Sequence, residues 1–416
     1  MINKERLAQN LLQMAQFSAT KGDEGITRLA FSDSDWLGRS FLIKLMEEAG
    51  LSIRIDTFGN VIGRREGTEP DWPAVMLGSH GDSVPNGGNY DGVVGVLAAI
   101  EVVRSLHEKQ IQTEHPLEVV VFMCEESSRF GAATLGSRAM RGELSAQELL
   151  SLRDKTGISL FEVLQSRNLQ PEAITQARYT KPLKAFFEVH IEQGKVLEHE
   201  QIEIGIVTGI AAPTRMRVYL HGSADHSGAT PMSMRTDGLC AAAEVVLAVE
   251  KIACNQLEPP VVGTVGVLQV HPGVMNVIPG EVELGIDIRS ISAVAKARVV
   301  EAVKQELASI CQRRKLAYDV QMISDEKPVA ILPSVQNCLA SICEEQKVSY
   351  LKMPSGAGHD AMHWVEYAPT GMLFIPCKQG ISHNPAEEAQ IDDIVRVTEI
   401  LEAVVLLTTQ ANFSWE

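Results

Sequence analysis

Short apolar runs of strand length alternate along the first half of this chain with longer stretches whose apolar residues recur at helical spacing. The runs AVMLGSH, LEVVVFMC and KAFFEVH read as strands, and DWLGRSFLIKLMEEAG and GVVGVLAAIEVVRSL read as helices with one apolar face. From the N-terminus to about residue 210 this alternation predicts α/β layers over a mostly parallel sheet. The middle of the chain has another grammar. A strand RMRVYLH, a helix from about 236 to 254, strands TVGVLQV and EVELGIDI, a helix from about 293 to 313 and a last strand YDVQMI spell βαββαβ, the order of a ferredoxin-like sandwich. Strand alternation sorts its faces: Met216, Val218 and Leu220 point inward with Val282, Leu284, Ile286 and Ile288, while Arg215, Arg217, Tyr219, Asp287 and Arg289 point outward. After about residue 328 the first grammar returns, with a helix through VQNCLASICEEQ, the strand GMLFIP and a final helix from about 391.

Polar residues end the apolar runs at a telling set of places. His80 closes AVMLGSH, Asp82 follows, and the Gly-rich loop after it delivers Asp91 just before a helix. Glu125 and Glu126 stop the run LEVVVFMC, His190 ends KAFFEVH, and His383 lies in ISHNPAE soon after GMLFIP. Imidazoles and carboxylates at strand C-terminal ends, where open α/β sheets place their sites, are the donors a divalent cation needs. His80, Asp91, Glu126, His190 and His383 therefore read as the ligands of a two-metal hydrolytic site, with Asp91 able to bridge through its two oxygens. Asp82 is placed to accept the other ring N–H of His80 and fix its tautomer. Glu125, beside a ligand, reads as the general base toward water. Hard carboxylates with imidazole suit Zn, Mn, Co or Ni. Since His383 has to join the other four, residues 211–327 read as an insertion into one catalytic domain built from 1–210 and 328–416.

Composition narrows the class. A chain of 416 residues is expected to hold at least two domains. Its net charge of −16 argues against nucleic acid or an anionic membrane as partner. The N-terminal stretch MINKERLAQNLLQMAQF lacks the apolar core of a signal peptide, and the longest apolar stretch, VVGVLAAI, is too short to span a bilayer. Seven cysteines, an odd number without a CxxC pair, fit free thiols in a cytoplasmic protein.

The stretches GSHGDSVPNGGNYDG, EESSRFG, EVHIEQG, ADHSGATPMSMR, NVIPG, DIRS, SGAGHDAM and ISHNPAE run in this order from about residue 77 to 388. As a set they resemble the dinuclear-metal amidase and exopeptidase superfamily, and within it the hydantoinase/carbamoylase branch of N-carbamoyl-L-amino-acid hydrolases, allantoate and ureidoglycolate amidohydrolases and β-ureidopropionases. The resemblance implies a metallo-exopeptidase-like catalytic domain with an inserted lid and dimerisation domain, two divalent metals per subunit, a small ureido-acid substrate and a homodimer. It assigns His80, Asp91, Glu126, His190 and His383 to the metals, with Asp91 bridging, and Glu125 to acid/base work. His226 resembles the lid histidine that stabilises the tetrahedral oxyanion in the partner subunit's site. Asn276 and Arg289 match residues that hold the substrate carboxylate, and Gln193, Gly358 and His359 line the pocket.

The expected reaction is hydrolysis of the carbamoyl C–N bond of an N-carbamoyl-L-amino acid, and the alternative is allantoate or ureidoglycolate. Arg215 favours the alternative, since the allantoate branch carries arginine there, and GIAAP and FIPCKQG look as much like the ureidoglycolate branch. Ser127 and Ser128 stand where many members have glycine after the paired glutamates, which bears on pocket shape. A dipeptidase is disfavoured by the ureido-branch motifs. A catalytically silent binding protein is disfavoured by an intact Glu125 beside a full ligand set.

Overall fold

The apolar runs pair side by side in a computed structural model, which describes residues 2–20, 24–256 and 258–415. In chain order they are β1 (Ser52–Ile55), β2 (Val61–Arg65), β3 (Ala74–His80), β4 (Leu117–Phe122), β5 (Leu183–Ile191) and β6 (Ile204–Ile210), joined later by β12 (Tyr350–Ser355) and β13 (Thr370–Ile375). The sheet order is β1-β2-β4-β3-β5-β13-β6, with β12 beside β6. The four central strands, β4, β3, β5 and β13, run parallel, whereas β1, β2 and β6 add antiparallel edges. Every residue of β3, β4 and β13 is buried, as expected of parallel strands covered on both faces.

Helices α1 (Lys4–Ala15), α2 (Asp33–Glu48), α3 (Val93–Glu108), α10 (Pro333–Gln346) and α11 (Ile391–Thr408) flank this sheet, and α4 (Leu135–Arg141), α5 (Ala146–Ser151), α6 (Leu160–Ser166) and α7 (Val196–Glu200) are short. All of α3 is buried except Arg104, His107 and Glu108. It lies so close to β5 that a Cβ on Gly95 would stand 2.1 Å from the Val189 carbonyl oxygen. Its one buried acid, Glu101, is paired with Arg6 of α1 at 2.7 Å. Ser145 with Glu148 and Ser159 with Glu162 form capping boxes that start α5 and α6.

The chain divides into two compact units. The first contains the chain up to Thr208, Ile331–Met353 and the chain from Gly358 onward; the second contains Gly209–Ala330 and Pro354–Ala357. The second unit runs β7 (Ala212–His221), α8 (Gly238–Asn255), β8 (Val262–His271), β9 (Glu281–Ser290), α9 (Ala293–Arg314) and β10 (Ala317–Asp325), with the short β11 (Val329–Ala330) after it. Its four long strands are antiparallel in the order β10-β7-β9-β8. Met216, Val218, Leu220, Val282, Leu284, Ile286 and Ile288 meet Val245, Val249, Val299, Val303 and Leu307 of the helices in one core. The opposite face carries the alternate residues, among them an Arg217–Glu283 ion pair. No described helix is long and apolar enough to cross a membrane.

Candidate metal centre and active site

The C-terminal ends of the parallel strands of the first unit deliver the polar residues that end the apolar runs. His80 is the last residue of β3, His190 the penultimate residue of β5, and Glu125 and Glu126 follow β4. Asp91 immediately precedes Gly92, the residue that caps α3 with φ 65°. Only glycine serves there, because a Cβ would come within 2.5 Å of the His80 ring as well as forcing a left-handed residue.

Two groups of donor atoms form, each drawn within 4.8 Å: His80, Asp91 and His190, and Asp91, Glu126 and His383. Asp91 belongs to both. Its Oδ1 lies 3.3 Å from the Nε2 atoms of His80 and His190, and its Oδ2 lies 3.5 Å from His383 Nε2, which is itself 3.2 Å from Glu126 Oε1. The first group is buried, whereas the His383 side chain is 47% exposed.

The ring nitrogens show what this cluster is built to hold. His190 Nδ1 lies 2.9 Å from the Ile191 carbonyl oxygen and His80 Nδ1 3.1 Å from that of Asp82, so both Nδ1 atoms donate and both Nε2 atoms carry lone pairs. The His80 lone pair faces the Asp91 carboxylate, and that of His190 lies between the same carboxylate and the Gly92 N–H, which donates to it at 3.1 Å. Acceptors turned on one another in a buried site require positive charge between them. The same demand shows at His383, whose pKa is pushed up to about 11 by its hydrogen bonds to Asp91 and Glu126. Burial alone would raise the Asp91 carboxyl, yet His190, His383 and His80 hold it well below the usual range. Imidazole and carboxylate donors of this kind fit divalent cations.

Glu125 is buried with its Oε2 3.8 Å from His80 Nε2. Burial pushes its carboxyl well above the usual range; His80 opposes this, and Glu126, Asp360 and Asp82 add to it. A carboxyl poised this way is suited to taking and returning a proton.

Asp82 acts differently from the sequence reading. Its backbone carbonyl, not its carboxylate, takes the His80 Nδ1–H, and the carboxylate Oδ1 is 3.7 Å from that nitrogen. The two carboxylate oxygens instead accept the backbone N–H groups of Glu125 and Glu126 at 3.2 and 3.1 Å. The reason is the turn after β4, which points those amides at Asp82. Gln193 also differs from the pocket-lining residue the sequence suggests, because its side-chain amide donates to Asp91 Oδ2 at 2.6 Å. His359 stands edge-on to His190 with ring centroids 4.6 Å apart, and burial, then His190, push its pKa well down. Gly358 is exposed and adjoins it.

Three supporting groups escaped the sequence reading. Glu387 Oε1 accepts the N–H groups of Tyr90 and Asp91 at 2.9 and 3.1 Å, while Ser382 Oγ lies 2.9 Å from Asp91 Oδ2 and 3.1 Å from Glu387 Oε2. Glu188 accepts from Ser79 Oγ at 2.7 Å and the Ala361 N–H at 2.8 Å, joining β3, β5 and the Asp360–His363 turn. An inward carboxylate in KAFFEVH and the serine and closing glutamate of ISHNPAE were the available signals.

In the second unit, His226 Nδ1 accepts the N–H groups of Gly228 and Ala229, both at 3.1 Å, which leaves the ring proton on its exposed Nε2. Asn276 adjoins it through the Ser227 N–H to Asn276 carbonyl bond of 3.0 Å. Arg289 and Arg215 share a partner that the sequence reading left aside. Asp287 takes Arg289 Nε at 2.9 Å and Arg215 Nε at 3.0 Å, because β7 and β9 pair with Arg215 opposite Asp287.

The chain is similar to known proteins along nearly its whole length. Residues 76–407 match peptidase family M20/M25/M40. An N-carbamoyl-L-amino-acid amidohydrolase of Pseudomonas sp. (strain NS671) is 41% identical over 96% of this chain and 97% of its own. A ureidoglycolate hydrolase of Oryza sativa subsp. japonica is 38% identical over 96% of this chain and 84% of its own. A crystal structure of an amidase of the hydantoinase/carbamoylase family from Burkholderia multivorans superposes with a TM-score of 0.90 at 37% identity, covering 98% of each chain. With a family match over most of its length and relatives of this closeness along nearly all of it, the chain belongs to peptidase family M20/M25/M40, in its hydantoinase/carbamoylase branch.

Proposed function

We propose that the protein hydrolyses the carbamoyl C–N bond of N-carbamoyl-L-amino acids, releasing ammonia, carbon dioxide and the L-amino acid. The observation that carries this reading is the pair of donor groups sharing Asp91, with the Glu125 carboxyl beside them. One group, His80, Asp91 and His190, and the other, Asp91, Glu126 and His383, would each hold one divalent cation of the Zn, Mn, Co or Ni kind. Such cations supply Lewis acidity toward water and the ureido carbonyl oxygen.

The chain's own residues do the rest. Glu125 takes the proton of the attacking water and returns it to the leaving nitrogen. Asp82 and Glu387 hold the backbone from which Glu125, Glu126 and Asp91 project, and Gln193 steadies the Asp91 carboxylate. His226, with a proton on Nε2, donates to the tetrahedral oxyanion. In a homodimer, with residues 211–327 as lid and dimerisation domain, that histidine comes from the second copy. Arg289 and Asn276 take the substrate carboxylate, for which a guanidinium fork is suited.

A second reading is allantoate or ureidoglycolate, and of these Arg215 favours allantoate, which carries two ureido arms. Arg215 and Arg289 share Asp287, so guanidinium N–H groups beyond those that one carboxylate takes remain to donate to the carbonyl of a second ureido arm. Ammonia release from a panel of N-carbamoyl-L- and D-amino acids, allantoate and ureidoglycolate, with each metal added to metal-free protein, separates the two. No release from any ureido acid sinks both.

A further inference from the structure

The loop from Cys124 to Thr134 carries Glu125 and Glu126 between β4 and α4. Both of its ends are left-handed, with φ of 59° at Cys124 and 54° at Thr134. Two backbone bonds close it: Leu135 N–H to the Cys124 carbonyl at 2.9 Å and Thr134 N–H to the Glu125 carbonyl at 2.7 Å. The Glu125 N–H is taken by Asp82 at 3.2 Å, so the backbone of Glu125 is gripped on both sides. Thr134 is the grip on the carbonyl side.

A β-branched residue rarely accepts a left-handed backbone, because its Cβ substituents crowd the chain. Where one does, the surroundings must hold it there. Thr134 Oγ1 lies 2.9 Å from His363 Nε2, and His363 Nδ1 lies 3.2 Å from Glu143 Oε2. Facing a carboxylate, Nδ1 carries the ring proton, so Nε2 accepts the Thr134 hydroxyl hydrogen. Ser137 Oγ, donating to Asp360 at 2.5 Å, ties the same two segments together a turn further on.

Carboxylate, imidazole and hydroxyl in a row have the outline of a nucleophilic triad, but the neighbouring groups exclude that use. Thr134 is 5% exposed. The Thr134 and Leu135 amides, the nearest donors for an oxyanion, are already bonded to Glu125 and Cys124. What remains is orientation.

We propose that Glu143, His363 and Thr134 form a positioning relay that fixes the backbone of Glu125 and with it the direction of its carboxylate. The proposal rests on Glu125 being the general base of the reaction given above. Thr134→Val keeps the shape and branching of the side chain and removes only the hydroxyl; Thr134→Ser keeps the hydroxyl.

The test is steady-state kinetics on the best ureido substrate, with metal content and thermal unfolding of each variant. Thr134→Val is expected to lower kcat about 10- to 100-fold, the scale of a small misplacement of a catalytic group, with KM and metal content little changed. Thr134→Ser is expected to restore most of the loss. Unchanged kcat in Thr134→Val, a change confined to KM, or equal losses in Val and Ser each overturn the relay. If Thr134→Val does not fold, Glu143→Ala at its partly exposed position replaces it, and there an unaltered kcat overturns the relay while a loss of about 3- to 10-fold supports it. Glu125→Gln serves as the separate control. If that variant keeps full activity, the base assignment itself falls; if it is inactive, only the relay is being judged.

Discussion

Asp82 Oδ1 accepts the backbone N–H of Glu125 at 3.2 Å, and its partner oxygen takes that of Glu126 at 3.1 Å. The carbonyl of the same residue holds His80 Nδ1 at 3.1 Å. One buried residue thus sets a donor of the first group, a donor of the second, and the acid between them. Asp82→Asn replaces an acceptor by an NH2 group that must face a buried N–H. An unpaired buried amide costs about 1–3 kcal/mol, and losing a group that orients metal ligands lowers affinity or activity by about 10- to 100-fold. Thermal denaturation together with kcat should show both losses. A variant as active and stable as the parent would mean that the two amides are not held by this carboxylate.

Removing metal should act unequally on the two donor groups. His80, Asp91 and His190 are all buried, whereas His383 is half exposed and sits on a left-handed residue of φ 55° outside any strand or helix. Chelator titration is therefore expected to draw out the cation held with Glu126 and His383 first and the other later. A ligand bound only to the folded state at about 100 times its Kd adds about 2.7 kcal/mol, so full removal should lower the melting temperature by several degrees. Metal content measured against chelator concentration tests the order. A single step releasing both cations together would refute it.

The parallel centre of the sheet could be read from the sequence because its strands are apolar throughout and stop at polar residues. Ala74–His80, Leu117–Phe122 and Thr370–Ile375 are buried on both faces, a pattern that apolar runs of this length announce. The antiparallel edges were not legible, since Ser52–Ile55 is only four residues long and mostly exposed, too short for its alternation to mark a strand. The inward faces of β7 and β9 were legible for the opposite reason: alternation of period two sorts Met216 from Arg217 and Ile286 from Asp287. Donor types at the strand ends were equally plain. What the sequence does not reveal is how a polar residue is spent once the chain folds, and Asp82, Gln193 and Arg215 all find partners through backbone turns or cross-strand register.

Glu387 shows how far apart in sequence such partners lie. Its carboxylate joins the loop of Asp91 to the segment before His383, taking the Tyr90 and Asp91 amides on one oxygen and meeting Ser382 with the other. Glu387→Gln retains one acceptor oxygen for the two amides, and Glu387→Ala retains none. The alanine variant should lose about 10- to 100-fold in metal affinity and the glutamine variant distinctly less. Calorimetric titration of metal-free protein measures this without relying on turnover. Equal affinity in the parent and the alanine variant would show that Asp91 is positioned without Glu387.

Substrate choice should depend on Arg215 through Asp287. The carboxylate of Asp287 neutralises one of the two guanidinium groups bonded to it, so the cluster of Arg215, Asp287 and Arg289 keeps a single surplus positive charge. Arg215→Ala removes that surplus and leaves Asp287 to Arg289, whose Nη1 also donates to the Gly356 carbonyl at 3.2 Å. For an N-carbamoyl amino acid, Asn276 and the Arg289 N–H groups not taken by Asp287 and Gly356 still meet the one carboxylate, and the loss should be small. A substrate with a second ureido arm loses a donor that nothing else replaces, at about 1.4 kcal/mol for each tenfold drop in kcat/KM. Arg215→Ala is accordingly expected to reduce allantoate turnover at least about tenfold more than that of N-carbamoyl-methionine. Parallel kcat/KM measurements on the two compounds decide it, and losses of equal size would remove Arg215 from substrate selection.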